Sequence, residues 1–205
     1  MKVDSLDFSY DTKSWTACKF DELSFFKKSG IFFQYECECI QCGSHNCQKN
    51  LCAHFNECTR KQKHEGLKGV DVLLKNDRDL YLIEMKDYRK TVKPPLDHIV
   101  SEVAKKFRDS LFVLWCASIA ADDPQERRLA DEVRRKQMNL TFVFHFESPV
   151  PAYATGLFSP QRGVQSLSGV KEKLERKMQF MFGHVFITDM AHLQCEPNSV
   201  PWKVK

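Results

Sequence analysis

The sequence lacks any apolar run long enough to cross a bilayer. Its longest near-apolar stretch, Leu111 to Ala121, is interrupted by Ser118 and falls well short of the roughly 20 residues that a span requires; it reads as a buried helix end. Glycine and proline are sparse, eight of each in 205 residues, and no repeat period is visible, which excludes collagen-like, low-complexity and solenoid architectures. Neither sign of charge is in large excess. With 31 basic and 27 acidic side chains the formal charge is +4, too small to mark a nucleic-acid binder by itself, although it permits a phosphate-bearing partner where the cations cluster. The opening Met1-Lys2-Val3-Asp4-Ser5-Leu6-Asp7 lacks the basic and then apolar stretch of a secretory signal, and nine cysteines cannot all pair. A disulfide-stapled secreted domain is therefore not expected; a reducing, cytoplasmic setting without a membrane partner is. What is present, 42% hydrophobic and 28% charged residues with sixteen Phe, suits one globular domain over residues 1–205 with a real core.

Residues 14 to 28 mix Trp15, Leu23, Phe25 and Phe26 with charged side chains and stop at Gly30, which predicts a first helix. From Ile31 to Cys39 the odd positions are apolar, with Gln34, Glu36 and Glu38 alternating with them, the period of a strand. Gly69 to Lys75 and Asp79 to Lys86 are two apolar segments joined by Asn76-Asp77-Arg78, a hairpin. Ile99, Val103, Phe107, Leu111 and Leu114 recur at spacings of three and four, so a long amphipathic helix is expected from about Leu96 to Ser118. Asp123-Pro124-Gln125-Glu126 carries the start signals of another helix, running to about Met138. Leu140 to Phe146 reads as a central strand covered on both faces. A loop through Pro149, Pro151, Gly156, Pro160 and Gly163 follows, then a helix striped by Val170, Leu174, Met178 and Met181, a last strand from Val185 to Asp189, and a tail from Glu196. The order predicts a mixed α/β sheet with helices on its faces.

The chemistry concentrates in the hairpin. Asp71 lies in its first strand, and Glu84 follows after twelve intervening residues, with Lys86 two places further on. Residues two apart share a face of a sheet, so Glu84 and Lys86 stand side by side, and pairing through the Asn76 turn brings Asp71 towards Glu84. Two carboxylates meeting there repel unless a cation lies between them, and hard oxygen ligands suit Mg²⁺ or Mn²⁺. Such a metal polarises a phosphodiester and acidifies a water, while a neighbouring ammonium orients that water. The triplet of glutamate, any residue and lysine is common in itself, and Glu175-Arg176-Lys177 is a second one on a helix. Glu84, however, ends the apolar run Leu80-Tyr81-Leu82-Ile83, where a carboxylate is out of place unless used. A solvated pair at the sheet edge is the structural alternative.

On Gly69-Val70-Asp71 and Leu82-Ile83-Glu84-Met85-Lys86-Asp87-Tyr88-Arg89, and on the order of elements over roughly residues 14 to 147, the chain resembles the PD-(D/E)XK nuclease superfamily. Val70 stands where that family's nominal proline would. The resemblance implies a restriction-endonuclease-like αβββαβ core in which Asp71, Glu84 and the Met85 carbonyl hold the catalytic metal and Lys86 positions or activates water. It also implies a glutamate from the first helix. Glu22 is the candidate, with Glu36 or Glu38 as substitutes. The long helix, Glu102 to Ser110, is similar to the one that in related sequences lends a basic or polar residue to the site, and Lys105 and Lys106 are placed to contact phosphate or to form a solvated face.

Six cysteines, Cys37, Cys39, Cys42, Cys47, Cys52 and Cys58, fall within 22 residues, with His45 and His54 among them. Cys39-Ile40-Gln41-Cys42-Gly43 has the spacing and trailing glycine of a zinc knuckle. A cysteine-rich insertion over residues 39–58 is expected to hold a structural Zn²⁺ through Cys39, Cys42, Cys52 and Cys58, with Cys47 or His54 as alternates and an iron–sulfur cluster as the competing cofactor. Cys37 shares the apolar face of its strand, and Cys18, Cys116 and Cys195 read as buried thiols. Lys61, Lys63 and Lys68 lie in a positive stretch suited to a phosphate backbone or to plain solvent. The expectation is a Mg²⁺- or Mn²⁺-dependent endonuclease acting on DNA, with a homodimer or a partner protein as the assemblies open to it. An inactive nucleic-acid- or protein-binding module with a structural zinc, and a ribonuclease on the same core, are the alternatives.

Overall fold

Two short strands, β1 (Lys2–Val3) and β2 (Leu6–Tyr10), open the chain, followed by β3 (Thr16–Lys19), a 3₁₀ turn (Phe20–Glu22) and the short helix α1 (Ser24–Lys28). The hairpin strands β4 (Val72–Lys75) and β5 (Asp79–Asp87) precede α2 (Leu96–Ala120) and α3 (Pro124–Arg134). Then come β6 (Asn139–Glu147), α4 (Leu167–Met178), β7 (His184–Thr188) and β8 (Trp202–Val204). This computed structural model describes residues 1–3, 5–28, 67–90, 94–147, 167–190, 193 and 200–205. The expected strand from Ile31 to Cys39, the 39–58 insertion and the loop from Pro149 to Gly163 lie outside them.

The main sheet has the order β3-β4-β5-β6-β7. β3, β4 and β5 are antiparallel, while β5, β6 and β7 run parallel. The α2–α3 connection carries the chain from β5 to β6, as a parallel pair requires. β6 occupies the interior of the sheet. Phe142, Phe144 and Phe146 lie on its helix side and Val143 on the other, which is why its sequence is continuously apolar.

Helices cover one face: α2 brings Ile99, Val103, Phe107 and Leu114, α3 brings Leu129 and Val133, and α4 brings Val170, Leu174 and Met178 into a single core. The opposite face packs Val72, Leu74, Ile83, Met85 and Val143 against Val3, Leu6, Phe8, Trp202 and Val204. Those residues belong to a second sheet of order β1-β2-β8. Among the described residues, therefore, the flanking helices stripe into one face and a three-stranded antiparallel sheet covers the other. No helix among them is long and apolar enough to cross a membrane.

Three expectations need correction. The helix predicted over 14–28 is a strand in its first part: Thr16–Lys19 pairs with Val72–Lys75, with Ala17 packed on one core and Cys18 on the other. A period of two over four residues is hidden by the charges around it, and the long-range ladder overrides the local helical pattern. The tail from Glu196 contains β8, where Phe8 pairs with Val204 and Tyr10 with Trp202. The first hairpin strand begins at Val72 rather than Gly69. Elsewhere the boundaries shift by a few residues. Asp123 caps α3, its Oδ1 accepting from the amides of Gln125 and Glu126, and Gly183 takes a positive φ of 127° before β7, a conformation open to glycine.

Candidate functional site

The register of the hairpin sets the geometry. Val72 pairs with Ile83 and the Asp71 amide donates to the Ile83 carbonyl at 3.1 Å, so Asp71 arrives beside Glu84. Its Oδ2 accepts from the Met85 amide at 2.7 Å. Glu84 is fully buried, at 0% exposure, on the helix-covered side of β5. The Lys86 ammonium, two residues on, lies 3.1 Å from Glu84 Oε1.

α2 completes the cluster. Lys106 Nζ donates to both Glu84 oxygens, at 2.7 and 2.8 Å, and stands 3.5 Å from Asp71 Oδ1. One ammonium thus spans the two carboxylates. Burial, and then the Asp71 charge, push the Glu84 carboxyl up to about 7, against the opposing pull of Lys106 and Lys86. Desolvation outweighs two nearby cations because the carboxylate has no access to water.

The segment that carries Asp71 is fastened to α2 as well. The Lys68 amide donates to Asp109 Oδ2 at 3.1 Å and the Val70 amide to Ser110 Oγ at 2.9 Å, and both acceptors are buried. On the other side the Phe20 amide donates to the Asp71 carbonyl at 3.2 Å. A Cβ on Gly69 would lie 2.4 Å from the Phe20 ring, so glycine is needed there for close approach. A cleft of about 270 Å³ opens beside Asp71, lined by Lys2, Lys19, Asp21 and Gly69 among others.

Of the residues singled out in the sequence, the structure brings together Asp71, Glu84, Lys86 and Lys106. Met85 presents its amide to Asp71, and its side chain is buried in the opposite core. Glu22 is exposed at the end of the 3₁₀ turn, and the carboxylate that shares the cleft with Asp71 is its neighbour Asp21. Lys68 pairs with Glu102 at 2.8 Å and Lys105 with Asp109 at 3.6 Å. Cys18 and Cys116 are free, partly buried thiols, and burial pushes Cys18 up to about 11. Cys39, Cys42, Cys47, Cys52, Cys58, His54, Cys37, Cys195, Glu36, Glu38, Lys61 and Lys63 lie outside the described residues. Among those described, no group of three or more His, Cys, Asp or Glu gathers as a metal site would. Sequence reading missed Asp109 and Ser110 as anchors. Their signal was two polar residues inside an otherwise apolar helix stripe.

No family model matches the chain, and no solved structure matches it. The chain is similar to a curated protein, the cysteine–tRNA ligase of Neisseria meningitidis, at 27% identity over 154 residues, covering 68% of this chain and 21% of that protein. The chain thus spans about a fifth of that relative's length, and the likeness assigns it to no family.

Proposed function

We propose that the protein is a metal-dependent nuclease that hydrolyses phosphodiester bonds, with DNA as its first substrate, on a restriction-endonuclease-like core. One observation carries this reading: two carboxylates, Asp71 immediately before β4 and a fully buried Glu84 on β5, converge on a single cation position, with Lys86 beside Glu84. The antiparallel trio β3-β4-β5 followed by α2 and the parallel strand β6 supports the core, although α1 follows β3 where that core would place a helix before it.

The donor set fits a hard divalent cation. Two oxygen acids are held close enough that their repulsion raises Glu84, and the Lys106 ammonium supplies the positive charge that both accept. Asp71, Glu84 and the Met85 carbonyl are the groups that would hold Mg²⁺ or Mn²⁺, which when bound polarises the phosphodiester and acidifies a water. The chain's own residues do the rest. Lys86 is partly exposed beside Glu84, so its ammonium reaches both the carboxylate and a water or phosphate oxygen in front of it. Lys106 holds Glu84 in its rotamer and favours its ionised form. Hydrolysis then adds the water oxygen to phosphorus and breaks the bond to the leaving alcohol. The 39–58 insertion, on this reading, holds a structural Zn²⁺ through Cys39, Cys42, Cys52 and Cys58.

A second reading, a nucleic-acid-binding module without activity, is favoured by the same Lys106, since its ammonium already satisfies both oxygens of Glu84. Incubating the protein with DNA and RNA in Mg²⁺, Mn²⁺ or EDTA separates the two. Products that need the metal support the nuclease; binding indifferent to EDTA with no products after long incubation supports the module. RNA cleavage with DNA left intact would redirect the substrate.

A further inference from the structure

The stretch from Leu111 to Ala121, which reads from its sequence as a buried helix end, is buried on one side of α2 only. Val113, Leu114 and Ala117 enter the core, whereas Phe112, Trp115 and Ile119 are 47%, 53% and 67% exposed. With the exposed Arg108 these three follow spacings of four, three and four, so they form one row along the outer face of the helix. Phe112 and Trp115 wall one side of a groove of about 340 Å³, to which the end of α3 adds Val133 and Arg134 and the turn before β7 adds Phe182. Phe180, in the same turn, is 90% exposed. Together the five apolar side chains leave on the order of 500 Å² bare, towards the upper end of what a monomer shows.

The charges decide what fits this face. Arg134 and Arg135 both pair with Asp131, at 2.5 and 2.7 Å, and Lys136 stands over the Phe182 ring, 5.2 Å from its centre. These rim cations are engaged within the chain, which favours an apolar protein surface over a phosphate backbone. Along α2 the sign of charge changes instead. Arg108 stands seven residues before Trp115 and the exposed Asp122 seven residues after it. A second α2 laid antiparallel across the first therefore brings opposite charges together at both ends.

We propose that this face is the interface between two copies of the chain, packed with their α2 helices antiparallel about a two-fold axis at Trp115. Trp115 then meets its own counterpart at the centre, Phe112 faces Ile119 of the second copy, and Arg108 faces Asp122 at either rim. Two-fold pairing doubles the apolar surface to about 1,000 Å², the floor for a specific interface, so the dimer is a weak one that forms at micromolar concentration. The interface does not rest on the nuclease reading. Lys106, which reaches Glu84, lies nine residues before Trp115, about 14 Å along the helix.

The test is sedimentation equilibrium of the full chain from about 1 to 200 μM. Wild type is expected to rise with concentration from the 23.9 kDa monomer towards twice that mass. Trp115→Glu and, separately, Ile119→Lys are expected to hold it at the monomer mass across the series. Both side chains are more than half exposed, and circular dichroism melts at the lowest concentration check that the fold is kept. Arg108→Glu and Asp122→Arg are each expected to weaken association about tenfold, and the two together to restore it, which a damaged fold would not do. A wild type that stays monomeric throughout overturns the proposal and leaves the groove to a different protein. A dimer indifferent to Trp115→Glu and Ile119→Lys overturns it as well, since the copies then meet elsewhere. A double charge variant as weak as the single ones overturns the antiparallel arrangement.

Discussion

On the proposed nuclease reading the chemistry turns on Glu84, whose carboxyl burial and Asp71 raise to about 7 from an ordinary 4.5. The folded protein keeps this proton up to about pH 7, whereas the unfolded chain releases it near 4.5. Across that window the native state binds more protons, so this group's contribution to stability falls as pH rises and levels off above 7. Denaturant titrations at pH 5 and pH 8 are expected to show a loss on the order of 3 kcal/mol in wild type that Glu84→Gln does not share. A pH dependence unchanged by that substitution would contradict the assignment. Metal needs the ionised form, so cleavage is expected to climb with pH to about 7 and then flatten. Lys106→Met removes the cation that favours ionisation and is expected to move the rising limb of the pH–rate profile to higher pH; a limb that stays put would mean that Lys106 does not govern Glu84. Asp71→Asn and Lys86→Met are each expected to slow turnover by about 10²- to 10⁴-fold with melting largely retained.

At the scale of elements, the site depends on how the 68–71 segment is clamped between β3 and α2. Ser110→Ala leaves the buried Val70 amide without its acceptor and is expected to cost about 1–3 kcal/mol. Urea unfolding checks this, and a neutral variant would mean that the amide finds another partner. Gly69→Ala, which drives a methyl into the Phe20 ring, is expected to destabilise further. The hairpin acids were legible in the sequence because an apolar run ending in Glu84 and a short polar turn at Asn76 fix the pairing nearly by themselves. The long helix was equally plain from its spacing of three and four. β3 was not, because four residues of modest propensity owe their strand to a partner more than fifty residues away. Asp21 in place of Glu22 is a matter of which side of a 3₁₀ turn meets the cleft, and spacing alone does not carry that.

For the whole molecule, the smaller sheet is built from strands near the two ends of the chain, and β8 closes it on β2. No local signal marks such closure, since Phe8, Trp202 and Val204 are far apart in sequence and meet on the second face of the main sheet. Ser5 in turn donates its hydroxyl to Asp87 at the end of β5, tying the smaller sheet to the strand that bears Glu84. The insertion adds a compositional claim that can be read on the intact protein. One equivalent of zinc by elemental analysis, released when Cys39 and Cys42 are changed to serine, is the expected result; iron with a visible absorbance band would assign the cluster instead, and no metal would remove both. The central claim is tested most directly on supercoiled plasmid, with purified wild-type and Glu84→Gln protein side by side in Mg²⁺, Mn²⁺ and EDTA. The account predicts nicked or linear product from wild type alone and only with a divalent metal. Equal cleavage by the two proteins, or cleavage that survives EDTA, would contradict it.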